Sequence, residues 1–479
     1  MAKKQVNVSD VKIDFVDIHS SFGKYDLIPH LEELNIYESL FENHLSGHIT
    51  LQEAFNLPYK LPIVGEETIS CQIKLEGDEG KYIISPPLLH VHNLSDRFLK
   101  TNQSQRFSLD LVSEQYMSNL HTRVSKSYVD WYADDIVSDI WSNYLDDGHG
   151  DLNSQPAKLM DCIIPGWTPY QAFNWLCERS QPEEHDVATN YIYYEGMDTS
   201  HFVSLNMLAG QKPTLIFSKD HRVADAAQVE ALAQGWIKID ALTYMNQFQK
   251  VKNINRGQYS SKLITHDIVK KKILQHDYDG FEEWDDLNHL GSWPPIANSK
   301  TEVQTGNTFR TSYAPPADPD LAVTEGSRLS DYTDSAVSMY PKHDQMYSVN
   351  PDQKHDNRVE TWKQRRTNQM ALYDGIQMMV RCAGVSAIRV GMTVTLYVPS
   401  PEVTSHGKHD IAYDKYLSGT YMITSLRHMF ANDKGNTTYK MLVFLTKDGL
   451  NARATNRTPR KSGGNLKSFH SLPSEMIGV

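Results

Sequence analysis

The sequence predicts a β-rich α+β fold with two similar β-barrel domains, a small inserted α+β domain and a long irregular excursion. Three observations support this prediction. Short segments of alternating apolar and polar residues recur over residues 10–128, two amphipathic helical patterns follow, and β character returns over 238–279 and again from Asp374. At 479 residues, the chain is also too long for a single core.

The domain boundaries follow these changes of character. We predict a first barrel at 1–128, an inserted domain at 129–220, a split second barrel at 221–289 and 367–447, an irregular, partner-binding excursion at 290–366, and a flexible C-terminal tail at 448–479. Two similar barrels in one chain would let three copies build a six-fold ring.

The first region consists of short strands separated by turn residues, a spacing typical of a barrel or a sandwich. In VKIDFVDIH (11–19), alternation places Val11, Ile13, Phe15 and Asp17 on one side of a strand. Four more strands are predicted, at HITLQEA (48–54), TISCQIKLEG (68–77), YIISPPLLHVHNL (82–94) and QRFSLDLVS (105–113).

The inserted domain begins with two helices. ADDIVSDIWSNYL (133–145) carries Ile136, Ile140, Trp141, Tyr144 and Leu145 on one stripe, with Asp134 and Asp135 at its N-terminus. WTPYQAFNWLCERS (167–180) has Thr168 as its N-cap and Pro169 at the first helical position, and its buried stripe is Tyr170, Phe173, Leu176 and Cys177. Strands at 190–196 and 201–208 follow.

The stretch GQYSSKLITHDIVKKKILQHDYD (257–279) repeats an apolar dyad every five residues. Successive dyads would drift around a helix, whereas in a strand each dyad places one residue on either face. We therefore predict one long strand, or two with a bulge near the lysines. Lys270 and Lys272 then face opposite to Lys271, which argues against a phosphate-binding patch, and the adjacent His266 and Asp267 cannot form a catalytic dyad.

The second barrel resumes at Asp374 with four predicted strands. They are GIQMMVRCAG (375–384), IRVGMTVTLYVP (388–399), GTYMITSLRHMF (419–430) and TTYKMLVFLT (437–446). The last two enclose the hairpin loop ANDKGN (431–436). Gly391 interrupts the second of these strands, and we expect a bend there that only glycine tolerates.

The excursion and the tail are rich in proline, polar and charged residues, so neither is expected to bury much surface alone. The excursion nevertheless contains Trp293, Tyr313, Tyr332, Tyr340 and Tyr347. Aromatic residues are enriched where partners dock. We expect the excursion to lie against neighbouring subunits or other proteins, with a mobile loop as the alternative. The basic tail residues Arg453, Arg457, Arg460 and Lys461 would likewise meet an acidic surface or stay flexible.

Composition excludes several classes of protein. The formal charge of −12 opposes gross attraction to nucleic acid or an anionic membrane. No stretch approaches the ~20 apolar residues of a membrane span, and MAKKQVNVSD has no apolar signal core. Cys71, Cys162, Cys177 and Cys382 lack CxxC spacing, so we expect reduced thiols in a cytoplasm and no zinc site.

Two histidine pairs are candidate metal ligands. His44 and His48 are four residues apart, but a Ser-Gly step between them indicates a loop with solvated histidines. His90 and His92 share a face of a predicted strand and could hold a metal only if a carboxylate faced them. We interpret the latter as half-buried strand histidines.

The remaining motifs give no catalytic signal. Phosphate-binding glycine motifs, a GxSxG elbow and HExxH do not occur. DDGHGD (146–151) lacks the spacing of a calcium loop and indicates a helix-ending turn. Glu183 and Glu184 belong to a solvated acidic face rather than to a glycosidase pair. We therefore predict no catalytic, cofactor-binding or metal-binding residues and no cofactor.

Several segments, read in order over half to two thirds of the chain, resemble one family, the central baseplate hub proteins of contractile-tailed bacteriophages. The chain is similar to the T-even phage hub and, more distantly, to the late-control-D and VgrG proteins. The segments are LNIYESLFENHLSGHITLQEAFNL (34–57) with LPIVGEETISCQIKL (61–75), QRFSLDLVSEQYMSNLHTRVSKSYVDWYADDIVSDIW (105–141), VKNINRGQYSSKLITHDIVKKKILQHDYD (251–279), QMALYDGIQMMVRCAGVSAIRVGMTVTLYVPS (369–400) and YLSGTYMITSLRHMFANDKGNTTYKMLVFLT (416–446).

The resemblance implies a homotrimer in the virion tail baseplate, assembled in the host cytoplasm. Its two tube domains per chain would form a pseudo-six-fold ring, with the segment at 257–279 in the ring wall. The tail tube protein would bind on one side, the central spike protein on the other, and other baseplate or wedge proteins around it. DNA would be in transient passage through the channel, and no stable membrane association is expected. The family has no catalytic residues.

Two alternatives remain open. The chain could be the hub of a bacterial contractile injection system or of a phage-like bacteriocin, with the same fold and trimer. A less favoured alternative is a tail-associated peptidoglycan hydrolase with its site within 130–220.

Overall fold

The computed structural model describes most of the chain. The described residues are 11–75, 83–101, 103–145, 150–184, 187–219, 235–280, 282–294, 333–343, 346–347, 358–400, 413–433 and 436–452.

The first region is an antiparallel sheet. Its strands are β1 Val11–Ser20, β2 Gly23–Asp26, β3 Leu31–Ser39, β4 Ser46–Glu53, β5 Thr68–Leu75, β6 Ile83–Ile84, β7 Leu89–Thr101 and β8 Ser104–Ser113, with the short helix α1 Leu57–Lys60 after β4. They follow the order β2-β1-β5-β7-β8-β4-β3, and β6 pairs with β5. The four later strands predicted from sequence match β4, β5, β6 with β7, and β8.

The alternation predicted for β1 holds only for its first half. The register with β5 shifts between Ile13 and Phe15, which marks a β-bulge. The extra residue reverses which side chains face inward, so Val16 and Ile18 are fully buried. The prediction that Phe15 and Asp17 share the face of Val11 is therefore wrong, because a period-2 pattern cannot anticipate an inserted residue.

The inserted region has its own apolar core. Its elements are α2 Glu114–His121, β9 Val124–Tyr132, α3 Ala133–Tyr144, β10 Asp151–Ser154, β11 Leu159–Trp167, α4 Pro169–Arg179, β12 Tyr191–Glu195, β13 Thr199–Ser204 and α5 Leu205–Ala209. β9 pairs with β11, and a second sheet has the order β10-β13-β12.

Both predicted helices of this region are confirmed. α3 buries Ile136, Ile140 and Trp141. α4 begins with a capping box in which Thr168 accepts a hydrogen bond from the Gln171 amide. The predicted strand at 201–208 is wrong in its second half. The Ser204 hydroxyl accepts a hydrogen bond from the Met207 amide at 3.1 Å, so the strand ends there and α5 begins.

The rest of the chain supplies the second β region and a smaller sheet. The elements are β14 Leu215–Ser218, β15 Trp236–Asn246, α6 Lys250–Asn255, β16 Ser260–Asp267, β17 Lys272–Asp279, β18 Val337–Pro341, α7 Val359–Leu372, β19 Ile376–Ala383, β20 Thr393–Leu396, β21 Gly419–Asp433 and β22 Asn436–Lys447.

Six of these strands close a barrel in the order β21-β20-β14-β15-β19-β22, with β22 returning to β21. The prediction of a β-rich fold with barrel domains and small helical insertions is thus confirmed. The predicted strand at 388–399 is shorter than expected. Residues 388–392 form a turn before β20, because Gly391 adopts φ +83°.

The β21–β22 hairpin is common to both β regions. β3 pairs antiparallel with β21, and β1 approaches β22. The buried apolar residues of both regions accordingly form one cluster, from Val11 on β1 to Leu445 on β22. The first region therefore continues the sheet of the barrel and shares its core.

The stretch 257–279 is not part of this wall. β16 and β17 form a hairpin with its turn at 268–271, where Lys271 takes φ 52° and Asp267 accepts a hydrogen bond from the Lys270 amide at 2.8 Å. The prediction of one strand, or of two joined by a bulge, is therefore wrong. β18 from the predicted excursion completes a three-stranded sheet, and no described strand of the barrel pairs with it.

Helix α7 connects the three-stranded sheet to the inserted region. Val359 and Trp362 pack on Leu263 of β16. On another side of the helix, the Arg366 Nη1 donates hydrogen bonds to backbone carbonyls of the inserted region, including Cys177 at 2.7 Å and Tyr191 at 3.0 Å. The start of α7 lies within the predicted irregular excursion, so that part of 290–366 is ordered, contrary to expectation.

We predict that Phe430→Ala destabilises both β regions together. Phe430 is fully buried on β21 and stacks on Tyr439 with ring centroids 4.6 Å apart. Removing a buried ring costs about 3–5 kcal/mol. Hydrogen exchange should accelerate in peptides covering β8 and β19 alike, because the regions share the hairpin. Phe22→Ala, at an exposed position, is the control. Acceleration confined to β19 would contradict the shared wall.

Candidate functional site

A cavity of about 370 Å³ lies where the first β region, the inserted region and the barrel meet. β3 contributes Glu38, and the inserted region contributes Tyr194, His201 and Leu208. The turn before β20 contributes Ala387 and residues 389–392. Cavities that hold ligands occur preferentially at such junctions between structural units.

Glu38, which lines the cavity, belongs to a buried chain of three side chains with His428 and Tyr439. Glu38 and His428 are fully buried, and the His428 Nε2 lies 2.8 Å from the Glu38 Oε1. The His428 Nδ1 lies 2.8 Å from the Tyr439 hydroxyl. The second carboxylate oxygen, Oε2, is buried and has no hydrogen-bond partner among the described residues. A buried polar atom without a partner is rare, and it needs an explanation.

Tyr194 and His201 stack against each other at the cavity wall, with ring centroids 4.7 Å apart and an interplanar angle of 16°. Burial lowers the pKa of His201, and the Glu38 carboxylate opposes that shift. Burial and the same carboxylate raise the pKa of Tyr194. His201 is thus favoured in its neutral form, and Tyr194 keeps its proton.

The rim of the cavity is fixed by an ion pair between Arg389 and Asp198. The Arg389 Nη2 lies 2.7 Å from the Asp198 Oδ2, and its Nε lies 2.8 Å from the same oxygen. The Arg389 Nη1 donates to the carbonyls of Ser386 and Ile388. The guanidinium therefore holds the turn before β20 against the inserted region.

Gly391 lies in the cavity wall with φ +83°. A Cβ atom at this position would be 2.8 Å from the Tyr194 hydroxyl and 3.5 Å from Leu208. The predicted bend is therefore present, and glycine is required for two reasons: a left-handed backbone and close approach of a side chain.

The two histidine pairs predicted from sequence do not converge. His44 packs on Tyr116 with ring centroids 4.2 Å apart, whereas the His48 Nδ1 lies 2.7 Å from the Asp110 Oδ1. His90 does face a carboxylate, that of Glu114. His92 is exposed at a register shift of β7, which turns it away from the face of His90.

The acidic residues and cysteines considered from the sequence do not form a catalytic or metal-binding site among the described residues. Glu183 and Glu184 are exposed, and most of DDGHGD, residues 146–149, lies outside the described residues. The four cysteines are buried and free, and burial raises the pKa of each thiol to about 12. They are therefore protonated and poor nucleophiles at neutral pH. Across the described ranges, no cluster of three or more metal-ligating side chains occurs.

The aromatic residues of the excursion are partly accounted for within the chain. Trp293 exchanges backbone hydrogen bonds with Leu450, so the start of the tail is held in place. Tyr340 packs beside the core of the three-stranded sheet. Burial raises the pKa of Tyr347. Tyr313, Tyr332 and the basic tail residues Arg453, Arg457, Arg460 and Lys461 lie outside the described residues.

A buried lysine ends β22. Lys447 is fully buried, and its Nζ lies 3.2 Å from the Ser418 carbonyl oxygen. Burial lowers its pKa to about 8, against the opposing effect of Asp448 and Asp414. Asp448 in turn accepts hydrogen bonds from the Leu290 and Gly291 amides and pairs with His289, so this end of the barrel anchors the segment that follows β17.

Sequence reasoning missed Glu38, His428 and Lys447, although a signal was present. Glu38 follows Leu34 and Ile36 at period two, so the strand pattern puts a carboxylate on the buried face. Lys447 follows Val443 and Leu445 in the same way. A charged residue in phase with an apolar strand face indicates a buried ionisable group. His201 and Tyr194 gave no comparable signal, because their proximity to Glu38 depends on tertiary structure.

Within the described parts of the chain, no helix is long and apolar enough to cross a bilayer.

Solved structures that are similar to the chain include two tail proteins. The tail protein from Neisseria meningitidis MC58 is 12% identical, with a TM-score of 0.48 over 91% of this chain and 97% of that one. The 43 kDa tail protein of prophage MuSo2 from Shewanella oneidensis is 9% identical, with a TM-score of 0.47 over 91% and 98%. An Escherichia coli component of the type VI secretion system is 8% identical, with a TM-score of 0.39 over 91% and 76%. No model of a protein family and no curated protein sequence matches the chain.

We predict that Gly391→Val destabilises the protein by about 3 kcal/mol, because it combines left-handed strain with overpacking against Tyr194. Gly166→Val is the matched control, since Gly166 has φ +74° and no atom within 4 Å of an added Cβ. Chemical denaturation should show the larger loss for Gly391→Val, and Tyr194→Phe should recover part of the difference. Equal losses for the two valine variants would contradict the clash.

We predict that Lys447 makes stability rise with pH between about 8 and 10.5. In that window the unfolded chain holds the lysine proton more tightly than the folded chain does, so the free energy of unfolding increases with pH. The measured quantity is the free energy of unfolding of Lys447→Met minus that of the wild type. This difference should fall by about 3 kcal/mol from pH 7 to pH 11, because only the wild type gains stability in that range. Lys440→Met, exposed on the same strand, controls for the loss of a lysine. A pH-independent difference for Lys447→Met would rule out the lowered pKa.

Proposed function

We propose that this protein is the structural hub of a contractile tail baseplate. In this proposal three copies form a pseudo-six-fold ring that joins the tail tube to the central spike and encloses a channel for DNA. The observation that carries the proposal is the β21–β22 hairpin shared by the two β regions. A six-fold wall built from three chains needs two wall units in each chain, held at one fixed orientation.

The shared sheet supports this role mechanically. Backbone hydrogen bonds between β3 and β21 extend over residues 33–39 and 425–431, and a single apolar core lies behind them. Such a joint cannot bend without breaking ladder hydrogen bonds and exposing core residues. A conduit that transmits force and stays open benefits from that rigidity.

Exposed apolar side chains support assembly with further chains. Phe98 and Leu99 near the tip of the β7–β8 hairpin are 49% and 74% exposed, and Phe22 in the β1–β2 turn is 68% exposed. Val337 and Met339 on β18 and Ile273 on β17 are also more than half exposed. Clustered exposed apolar residues mark interaction sites in soluble proteins. Their positions suit contacts with neighbouring subunits and with tube, spike or other baseplate proteins.

The proposed role is structural, not catalytic. The four buried thiols are protonated and are therefore poor nucleophiles. The net charge of −12 suits a channel wall that should not retain passing DNA. We place the protein in the virion tail, with assembly in the host cytoplasm.

We predict a trimer that images as a ring with an open central pore wide enough for duplex DNA. Light scattering of the purified chain, alone and with its spike partner, should give three copies of the 54.6 kDa chain per particle. Electron microscopy should show three-fold symmetry with six similar wall segments. A chain that stays monomeric in both samples at high concentration would contradict the ring. Release of peptidoglycan fragments from purified cell walls would instead support the hydrolase alternative.

A further inference from the structure

We propose that the junction cavity binds a primary ammonium group on a short apolar stem, with Glu38 as its counter-ion. This site is independent of the proposed ring, since every group that forms it belongs to one chain. The Glu38 Oε2 is buried and has no partner among the described residues, while Oε1 is already taken by His428. Glu38 is one of the residues that line the cavity, so an occupant of the cavity lies beside its side chain.

Arg389, which lines the cavity, is already engaged. The Arg389 Nε and Nη2 are directed at Asp198, and its Nη1 is directed at two backbone carbonyls. A water molecule could donate to Oε2 but would bring no positive charge to the carboxylate, whose Oε1 pairs with the His428 imidazole. A buried charge is costly unless it is paired and hydrogen-bonded. A cationic occupant supplies both the donor and the charge.

The shape of the acceptor favours ammonium over guanidinium. A guanidinium binds best when two carboxylate oxygens accept in parallel, and here one oxygen is free. An ammonium is a compact charge with three donors, and it interacts favourably with the face of an aromatic ring such as that of Tyr194. Tyr194 lines the cavity, and its hydroxyl lies beside Gly391 of the same wall and can accept a hydrogen bond.

The walls account for the apolar stem. Met197, Val203, Leu208 and Val390 are buried apolar residues that line the cavity, and Met392 lines it beside them. The volume of about 370 Å³ is at the small end of the range for pockets that hold small molecules. A stem of about four carbons is therefore the natural probe.

The test uses the full chain labelled with ¹³C at its methionine methyl groups. Met197, Met207 and Met392 line the cavity, whereas Met160 and Met378 lie in other parts of the core and serve as internal controls. n-Butylammonium chloride is titrated at constant ionic strength, and n-butanol is the neutral match. We expect saturable shifts of the three cavity methyl groups with n-butylammonium and weak or no shifts with n-butanol.

Variants assign the interaction. Glu38→Gln keeps the size of the side chain and removes its charge, and it should weaken binding about tenfold or more, because charge-assisted hydrogen bonds are the stronger ones. Glu184→Gln, at an exposed position outside the cavity, should bind as the wild type does. Met207→Trp narrows the cavity from its exposed edge and should abolish binding of n-butylammonium. This variant tests the binding site if Glu38→Gln does not fold.

Three results would overturn the proposal: no saturable shift with n-butylammonium, equal affinity for n-butanol, or unchanged affinity in folded Glu38→Gln or Met207→Trp. Nα-acetyl-lysine N-methylamide presents the same butylammonium stem on a peptide backbone. Binding of either compound supports the site. Tighter binding of n-butylammonium identifies a free amine as the ligand, and tighter binding of the blocked lysine identifies a lysine side chain of another chain.

Discussion

The antiparallel pairing of β3 with β21 is the interaction on which the rest of the structure depends. It joins the first β region to the closed barrel through backbone hydrogen bonds, so the two regions share one sheet and one core. The inserted region is then positioned against this sheet, because the Glu195 carboxylate accepts a hydrogen bond from the Leu45 amide at 2.9 Å. α7 binds the inserted region and the three-stranded sheet to each other. Without the β3–β21 pairing, the first β region and the barrel would no longer hold the inserted region and the three-stranded sheet in fixed relative positions.

The buried polar groups between β3 and β21 favour the observed register of these two strands. Glu38 reaches His428 only because both side chains point to the same face of the sheet, two residues apart in the pairing. A slip of one residue would turn Glu38 to the opposite face and leave His428 buried without that partner. Apolar residues alone tolerate such slips better than a hydrogen-bonded network does. The network thus specifies the joint, even though burying a carboxylate costs stability.

Local patterns gave reliable predictions where one element determines its own structure. The α4 helix has an N-cap, an N1 proline and an apolar stripe within a dozen residues, and all three are found. The predictions failed where pairing between strands decides the outcome. The bulge in β1 depends on its pairing with β5, and the turn between β16 and β17 replaced a predicted continuous strand although β-branched residues favour strands. The same holds for the candidate site. The sequence alternation indicates that Glu38 lies on the buried face of its strand, whereas the cavity is formed by residues from three distant parts of the chain and could not be predicted.

The joint also has a consequence for biosynthesis. Glu38 and His428 are 390 residues apart in sequence, and among the described strands β3 pairs with β4 on one side and with β21 on the other. While the ribosome is still making the barrel, the N-terminal sheet therefore has an unpaired edge at β3. Contacts this distant in sequence close slowly, and an open strand edge can pair with the wrong chain in the meantime. Such mispairing would arise on crowded polysomes, because several nascent chains there expose the same β3 edge at the same time.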